Sequence, residues 1–219
     1  MKIEKTTILI FVAVTFIFGL LTNANANLIV NGSFETGPNP GVLIFLPSGS
    51  SAITGWEVSR DYIDYIGSYW DASDGERSLD LDDSTGFGGI KQTFSTTPGW
   101  IYKVTFDMSG NPYRGFGDPF IKHMGVSAAG QSAHFDFDTT GKSLPNNMGW
   151  LTKEWYFTAD GSGSTTLEFY SLHTLSGGEY SGYSGWTGPA LDNVSVVPEP
   201  ATLSLLGLGS LVLLRKRRA

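Results

Sequence analysis

Trp100-Ile-Tyr-Lys-Val-Thr-Phe-Asp-Met-Ser109 alternates along its length, with Trp100, Tyr102, Val104, Phe106 and Met108 on one side and Ile101, Lys103, Thr105, Asp107 and Ser109 on the other. Successive side chains of an extended chain point to opposite faces, so this period of two predicts a half-buried strand with its aromatic set toward a core. Upstream, Ile90, Gln92 and Phe94 repeat the pattern, and Thr96-Thr-Pro98-Gly99 between the two runs reads as a turn. Downstream, Lys153, Trp155 and Phe157 alternate with Thr152, Glu154, Tyr156 and Thr158, and Leu167 and Phe169 alternate with Thr166, Glu168 and Tyr170. Leu191-Asp-Asn-Val-Ser-Val196 closes the series. Strands at this spacing, with no helical pattern between them, predict an all-β antiparallel sandwich. A jelly roll is the version that covers two sheets in this length.

The ends of the 219-residue chain read differently from its middle. Lys2 and Lys5 precede a largely apolar stretch from Thr7 to Leu21, and Ala24-Asn-Ala26 follows. A positive start, a short apolar run and an A-x-A site predict a secretory signal peptide over residues 1–26, cleaved at Ala24 and Ala26. At the other end, Pro198-Glu-Pro200 leads into an apolar run, Ala201 to Leu214, and then Arg215-Lys-Arg-Arg218. Fourteen residues span about 21 Å as a helix, short of a bilayer core of about 30 Å. The basic end stays cytoplasmic by the positive-inside rule. The segment therefore reads as a transient transmembrane helix that presents an extended Pro-Glu-Pro to a membrane peptidase, with an ordinary tail anchor as the alternative.

Between these ends, residues 27–196 are expected to form a single domain. Residues 27–197 carry eight basic and 19 acidic side chains, a formal −11 against −7 for the whole chain. Such a surface repels nucleic acid and anionic lipid, so no nucleic-acid partner is expected, and membrane contact is expected only through the C-terminal segment before processing. The absence of cysteine excludes disulfides, thiolate metal sites and cysteine nucleophiles.

No catalytic motif is visible. His123, His134 and His173 are far apart in sequence and read as loop or edge residues. Asp71, Asp74, Glu76, Asp80, Asp82 and Asp83 crowd one region, but clustering alone does not set two carboxyls across a cleft, and solvated turns explain it. The chain is therefore read as no enzyme. Two glycine-rich stretches, Gly110 to Pro119 and Ser176 to Pro189, read as long loops of the kind that carry function. Sugar rings stack on exposed aromatics, which nominates Tyr180, Tyr183 and Trp186 first, then Trp70, Tyr113 and Phe116, with Trp56 and Trp100 assigned to the core.

Seven blocks occur in order: Asn27-Leu-Ile-Val-Asn-Gly-Ser-Phe-Glu35, Thr54-Gly-Trp-Glu-Val58, Gly75-Glu-Arg-Ser-Leu-Asp-Leu81, Gln92-Thr-Phe94, Tyr102-Lys-Val-Thr-Phe106, Ser109-Gly-Asn-Pro112 and Gly188-Pro-Ala-Leu-Asp-Asn-Val-Ser-Val196. This series resembles the bacterial choice-of-anchor C family. It is also similar to the plant cell-wall domain family of unknown function with a galactose-binding-like fold. The C-terminal segment, residues 197–219, resembles a PEP-CTERM sorting signal, carried by Pro198, Glu199 and Pro200. These resemblances imply a jelly roll of carbohydrate-binding type, passed through the secretion machinery and an exosortase-type membrane peptidase. They imply a brief stay in the inner membrane, then the cell surface or extracellular matrix.

The expected role is non-enzymatic binding of exopolysaccharide or cell-wall glycan, with a structural matrix or protein-interaction role as the alternative. The resemblance further implies one structural calcium, Ca2+, held by Glu35 and Asp192. From the residues themselves, Asp192 shares a face with Val194 and Val196 and should point inward, so a metal, a cation such as Arg77, or backbone caps must satisfy it.

Overall fold

The computed structural model describes residues 27–83, 86–113 and 117–199, and the residues from 27 to 196 group as one unit. The described residues contain no α-helix. Thirteen strands follow in order: β1 (Leu43–Pro47), β2 (Glu57–Arg60), β3 (Tyr62–Ile66), β4 (Ser78–Asp80), β5 (Asp82–Asp83), β6 (Gly86–Phe87), β7 (Gly89–Ser95), β8 (Ile101–Gly110), β9 (Ile121–Ala128), β10 (Gln131–Asp138), β11 (Leu151–Thr158), β12 (Ser164–Ser171) and β13 (Pro189–Pro198).

They form a six-stranded sheet, β1-β3-β4-β13-β8-β11, a five-stranded sheet, β10-β9-β12-β7-β2, and the small pair β5-β6. From β7 onward the chain passes back and forth between the two large sheets, the winding of a jelly-roll sandwich. Register follows the alternation. Tyr102 faces Phe157 and Val104 faces Trp155 across β8 and β11, and Phe94 faces Thr165 across β7 and β12. Tyr102, Val104, Phe106, Met108, Phe157, Leu167, Phe169, Leu191, Val194 and Val196 all join the main core between the sheets. Trp56 lies there as well.

Trp100 departs from its expected place. It sits in the turn before β8 and is 48% exposed, because Gly99 takes a positive φ of 75° and breaks the phase ahead of Ile101. Asn193 breaks the phase of β13. Its φ of 49° places Leu191 and Val194, three residues apart, on the same core side. Asp192 therefore leaves the face it was expected to share with Val194 and Val196. It lies instead on the outer side of the six-stranded sheet, beneath the loop at 67–77.

That outer side is roofed. Ile66, Trp70, Met148 and Ala190 make a second apolar cluster there, with Leu43, Tyr69, Leu144 and Trp150 around it. Strands β9 and β10 do not announce themselves in the sequence, because the inward set of β9 is Lys122, Met124, Val126 and Ala128. A fully buried lysine in that row disguises its apolar face.

Candidate functional site

The two glycine-rich loops meet at one end of the sandwich. The Asn111 N–H donates to Gly188 O at 2.9 Å. The Asn111 side chain is buried, and its amide donates to Asp80 Oδ2 at 2.9 Å and to Trp186 O at 3.4 Å, while its Oδ1 accepts the Tyr113 N–H at 3.0 Å. One side chain thus holds the backbones of Tyr113 and Trp186, residues that are 44% and 43% exposed. Glycine at 188 permits this descent: a Cβ there would stand 2.2 Å from Asp80 Oδ1.

A second tie runs through Asp118. Its Oδ1 accepts the Ser184 N–H at 2.8 Å, and its Oδ2 accepts the hydroxyls of Ser184 and Thr187 at 2.8 and 2.5 Å. Thr187 in turn accepts from buried Lys122 Nζ at 2.7 Å. Behind the loops, His173 joins β9 to β5. Its Nε2 accepts the His123 N–H at 2.9 Å, so Nδ1 carries the proton and donates to Asp82 Oδ2 at 2.6 Å. Burial, then the positive charge of Lys122, push this imidazole down to about 2, and it stays neutral. Loops fastened by two buried polar anchors present a fixed surface rather than an adaptable one.

Beneath the loops lie carboxylates that were expected on solvated turns. Asp71, Asp74 and Glu76 are indeed exposed, but Asp80, Asp82 and Asp83 are buried, and Asp64 of β3 joins them. The pairing of β3 with β4 sets Asp64 directly opposite Asp80, and the Asp64 carboxyl hydrogen-bonds Asp83. Burial, reinforced by neighbouring carboxylates, pushes Asp64 up to about 9 and Asp80 up to about 8. Burial also pushes Asp82 up to about 8, against the Ser171 hydroxyl and Lys122. Among the described residues, Asp64 Oδ1 and Asp82 Oδ1 have no hydrogen-bond partner.

The predicted ligand residues divide. Tyr113 and Trp186 come together at the loop end. Tyr183 does not join them. It is 4% exposed, its ring stacks on His173 at 3.5 Å, and its hydroxyl donates to Ile121 O. Burial and the charge of Asp82 push that phenol up to about 12. Trp70 is 2% exposed, with its Nε1 donating to Ser78 Oγ at 2.7 Å, so neither of its faces can receive a ring from solution. Tyr180 lies apart over His123, ring centres 4.4 Å away, with His134 at 6.3 Å. The three histidines, unrelated in sequence, therefore gather around Tyr180 and Tyr183, and His123 Nδ1 lies 2.6 Å from Asp136 Oδ1. Phe116, Pro200, the cleavage residues Ala24 and Ala26, and the C-terminal segment expected to be an apolar helix lie outside the described residues.

Glu35 and Asp192 both accept hydrogen bonds from backbone amides. Glu35 Oε1 accepts the N–H groups of Glu76 and Arg77, each at 2.8 Å. Asp192 Oδ2 accepts those of Ser73 and Asp74 at 2.8 and 2.9 Å, and its Oδ1 accepts that of Asn193 at 2.6 Å. Arg77 turns away to Gly37 O and the Tyr65 hydroxyl. Both carboxylates thus cap the 73–77 turn. Three backbone amides thus satisfy Asp192 in this structure.

Comparison with known proteins places this jelly-roll sandwich in a class. Residues 27–197 match the family described as protein of unknown function (DUF642), and the chain belongs to that family. Residues 196–218 match the PEP-CTERM protein-sorting motif, which marks an exported protein sorted through the membrane and implies exosortase processing. Halomucin of Haloquadratum walsbyi is 33% identical over 195 residues, 87% of this chain but 2% of that protein's length. Among solved structures, the chain is similar to TmCBM61 in complex with β-1,4-galactotriose, at 15% identity and TM-score 0.45, covering 80% of this chain and 100% of that one. It is also similar to the CBM22-1 xylan-binding domain of Paenibacillus barcinonensis Xyn10C, at 12% identity and TM-score 0.45, covering 81% and 97%.

Proposed function

We propose that this exported protein binds polysaccharide at the cell surface or in the extracellular matrix, without hydrolysing it, through Tyr113 and Trp186. The observation that carries the reading is the Asn111 junction, which fixes two half-exposed aromatic residues from separate loops on one buried amide. Sugar rings have apolar faces that stack on such side chains, and fixed aromatics bind them with little ordering cost. The sorting motif supports an extracellular setting for the contact.

Binding rather than hydrolysis is favoured by the placement of the acids. Asp64, Asp80, Asp82 and Asp83 are buried beneath the loop end, and Asp82 is engaged by His173. Glycoside hydrolysis needs two carboxyls flanking a bond in an open cleft. The test is a pull-down of the exported protein on insoluble matrix polysaccharides, beside the Tyr113→Ala/Trp186→Ala double variant. Retention of the parent and loss of the variant are expected; equal retention of both would remove the aromatic pair from the binding site.

A further inference from the structure

We infer that the hollow between the 67–77 loop and segment 39–41 binds neighbouring hydroxyls of a neutral hexose, with Arg77 as donor and Asp71 and Glu76 as acceptors. The hollow measures about 610 Å3, and its wall includes Asn39, Pro40, Asp71, Glu76, Arg77 and Pro145. Such a volume suits a small polar ligand. No residue of the loops at 110–119 and 176–189 lines it, so this surface is separate from that of Tyr113 and Trp186. The Arg77 guanidinium is held on one side only. Its Nη1 donates to the Tyr65 hydroxyl at 2.8 Å and to Gly37 O at 3.2 Å, and its carbon stands 5.7 Å from the centre of the Tyr65 ring. Among the described residues Nε and Nη2 donate to nothing, and Arg77 forms no ion pair, unlike Arg60, Lys91 and Lys103. A planar guanidinium fixed through one nitrogen keeps its other edge, a pair of N–H donors, in a set direction.

The walls are fixed as well. The N–H groups of Gly67 and Ser68 donate to Val42 O and Gly41 O at 2.9 and 3.0 Å, and a Cβ at Gly67 would stand 2.3 Å from Gly41 O. Asp71 donates its N–H to Pro145 O at 2.9 Å, and its carbonyl accepts Trp150 Nε1–H at 3.0 Å. Glu76 is held by its own N–H on Glu35. Backbone groups thus place Asp71 and Glu76, and both residues are exposed, which leaves their carboxylates open to a ligand. A sugar hydroxyl both donates and accepts, so a donor edge beside two carboxylates matches a neighbouring pair of hydroxyls. The same carboxylates repel an anionic ligand, and exposed Asp74 in the same turn adds to that. Pro40 and Pro145 supply apolar wall for the C–H groups of the ring. A neutral hexose meets these conditions together, whereas a uronic acid fails the electrostatic one.

The test follows the Arg77 Nε–H resonance and the backbone amides of residues 67–77 by NMR, in the exported protein and in its Tyr113→Ala/Trp186→Ala variant. The probes are the methyl glycosides of glucose, galactose and mannose, with methyl glucuronide as the charged control. At least one neutral glycoside should move the Nε–H signal and the amides of Gly75 and Arg77 saturably, and to the same extent in both proteins. The glucuronide should bind more weakly. Arg77→Lys keeps the charge but loses the planar donor pair, and Asp71→Ala removes an exposed acceptor. Each should lower the affinity by about tenfold or more, the worth of a hydrogen bond to a charged group. Should Arg77→Lys fail to fold, Asp71→Ala and Glu76→Ala carry the same decision. No shift with any neutral glycoside, a preference for the glucuronide, or shifts unchanged in the Arg77 and Asp71 variants would each overturn the proposal. Shifts lost in the Tyr113→Ala/Trp186→Ala variant would overturn it in favour of the loop end, so its failure is distinct from failure of that site.

Discussion

Asn111 and Asp80 are joined by a buried 2.9 Å hydrogen bond, and through it the exposed loop end is referred to the middle of the six-stranded sheet. Asn111→Ala removes the donor to Asp80 and the acceptor for the Tyr113 N–H together. Leaving a buried acceptor unsatisfied costs about 1–3 kcal/mol, and chemical denaturation should show a loss in that range. Polysaccharide retention should fall with it, because Tyr113 and Trp186 lose their common anchor.

Gly188→Ala tests the same contact from the other side. A methyl group at this position would stand 2.2 Å from Asp80 Oδ1 and 2.6 Å from the Asp82 amide nitrogen. Overpacking at such a site costs about 1–3 kcal/mol, so a Tm well below the parent's is expected. The exposed Gly117, with nothing near its Cβ position, should accept Ala with a smaller loss, set by its positive φ alone.

Tyr183 and Tyr180 separate structural from surface aromatics. Tyr183→Phe leaves the Ile121 carbonyl without its donor in a part-buried setting and should lower stability by about 1 kcal/mol. Tyr180→Ala, on a half-buried ring packed against His123, should cost less in the same denaturation series. Equal losses for the two would contradict the placement of Tyr183 in the interior.

The pH dependence can be followed at Asp192. Burial pushes its carboxyl from 3.8 up to about 7, against the pull of the amides of Asp74, Asn193 and Ser73. The folded chain then keeps a proton that the unfolded chain has released. This contribution is complete below about pH 4 and is lost as pH rises through about 7. Denaturation midpoints measured in chelator between pH 4 and 8 should decline with pH, and Asp192→Asn should flatten that decline. An unchanged slope in the variant would assign it to other groups.

Much of the sandwich is legible in the sequence because its period of two survives along β7, β8, β11 and β12, where Tyr102, Phe106, Phe157 and Leu167 face the core in turn. The two long loops are legible from glycine and serine, and two of the aromatics drawn from them, Tyr113 and Trp186, reach the same end. What local pattern cannot carry is pairing across the chain. Asp64 meets Asp80 only through the register of β3 with β4, and the histidines converge only once β9, β10 and β12 lie side by side. Lys122 hides β9 because its partner, Thr187, is 65 residues away. The phase change at Asn193 is equally silent in sequence, yet it moves Asp192 from the expected core face to the 73–77 turn.

The most direct measurement is a binding isotherm of the exported protein with soluble polysaccharides, comparing the parent with Tyr113→Ala, Trp186→Ala and Tyr180→Ala. Saturable binding by the parent, weakened by each of the first two changes and retained by the third, is the expected result. Binding that survives loss of both Tyr113 and Trp186 in a folded protein, or no binding by the parent to any matrix polysaccharide, would contradict a glycan site at this loop end.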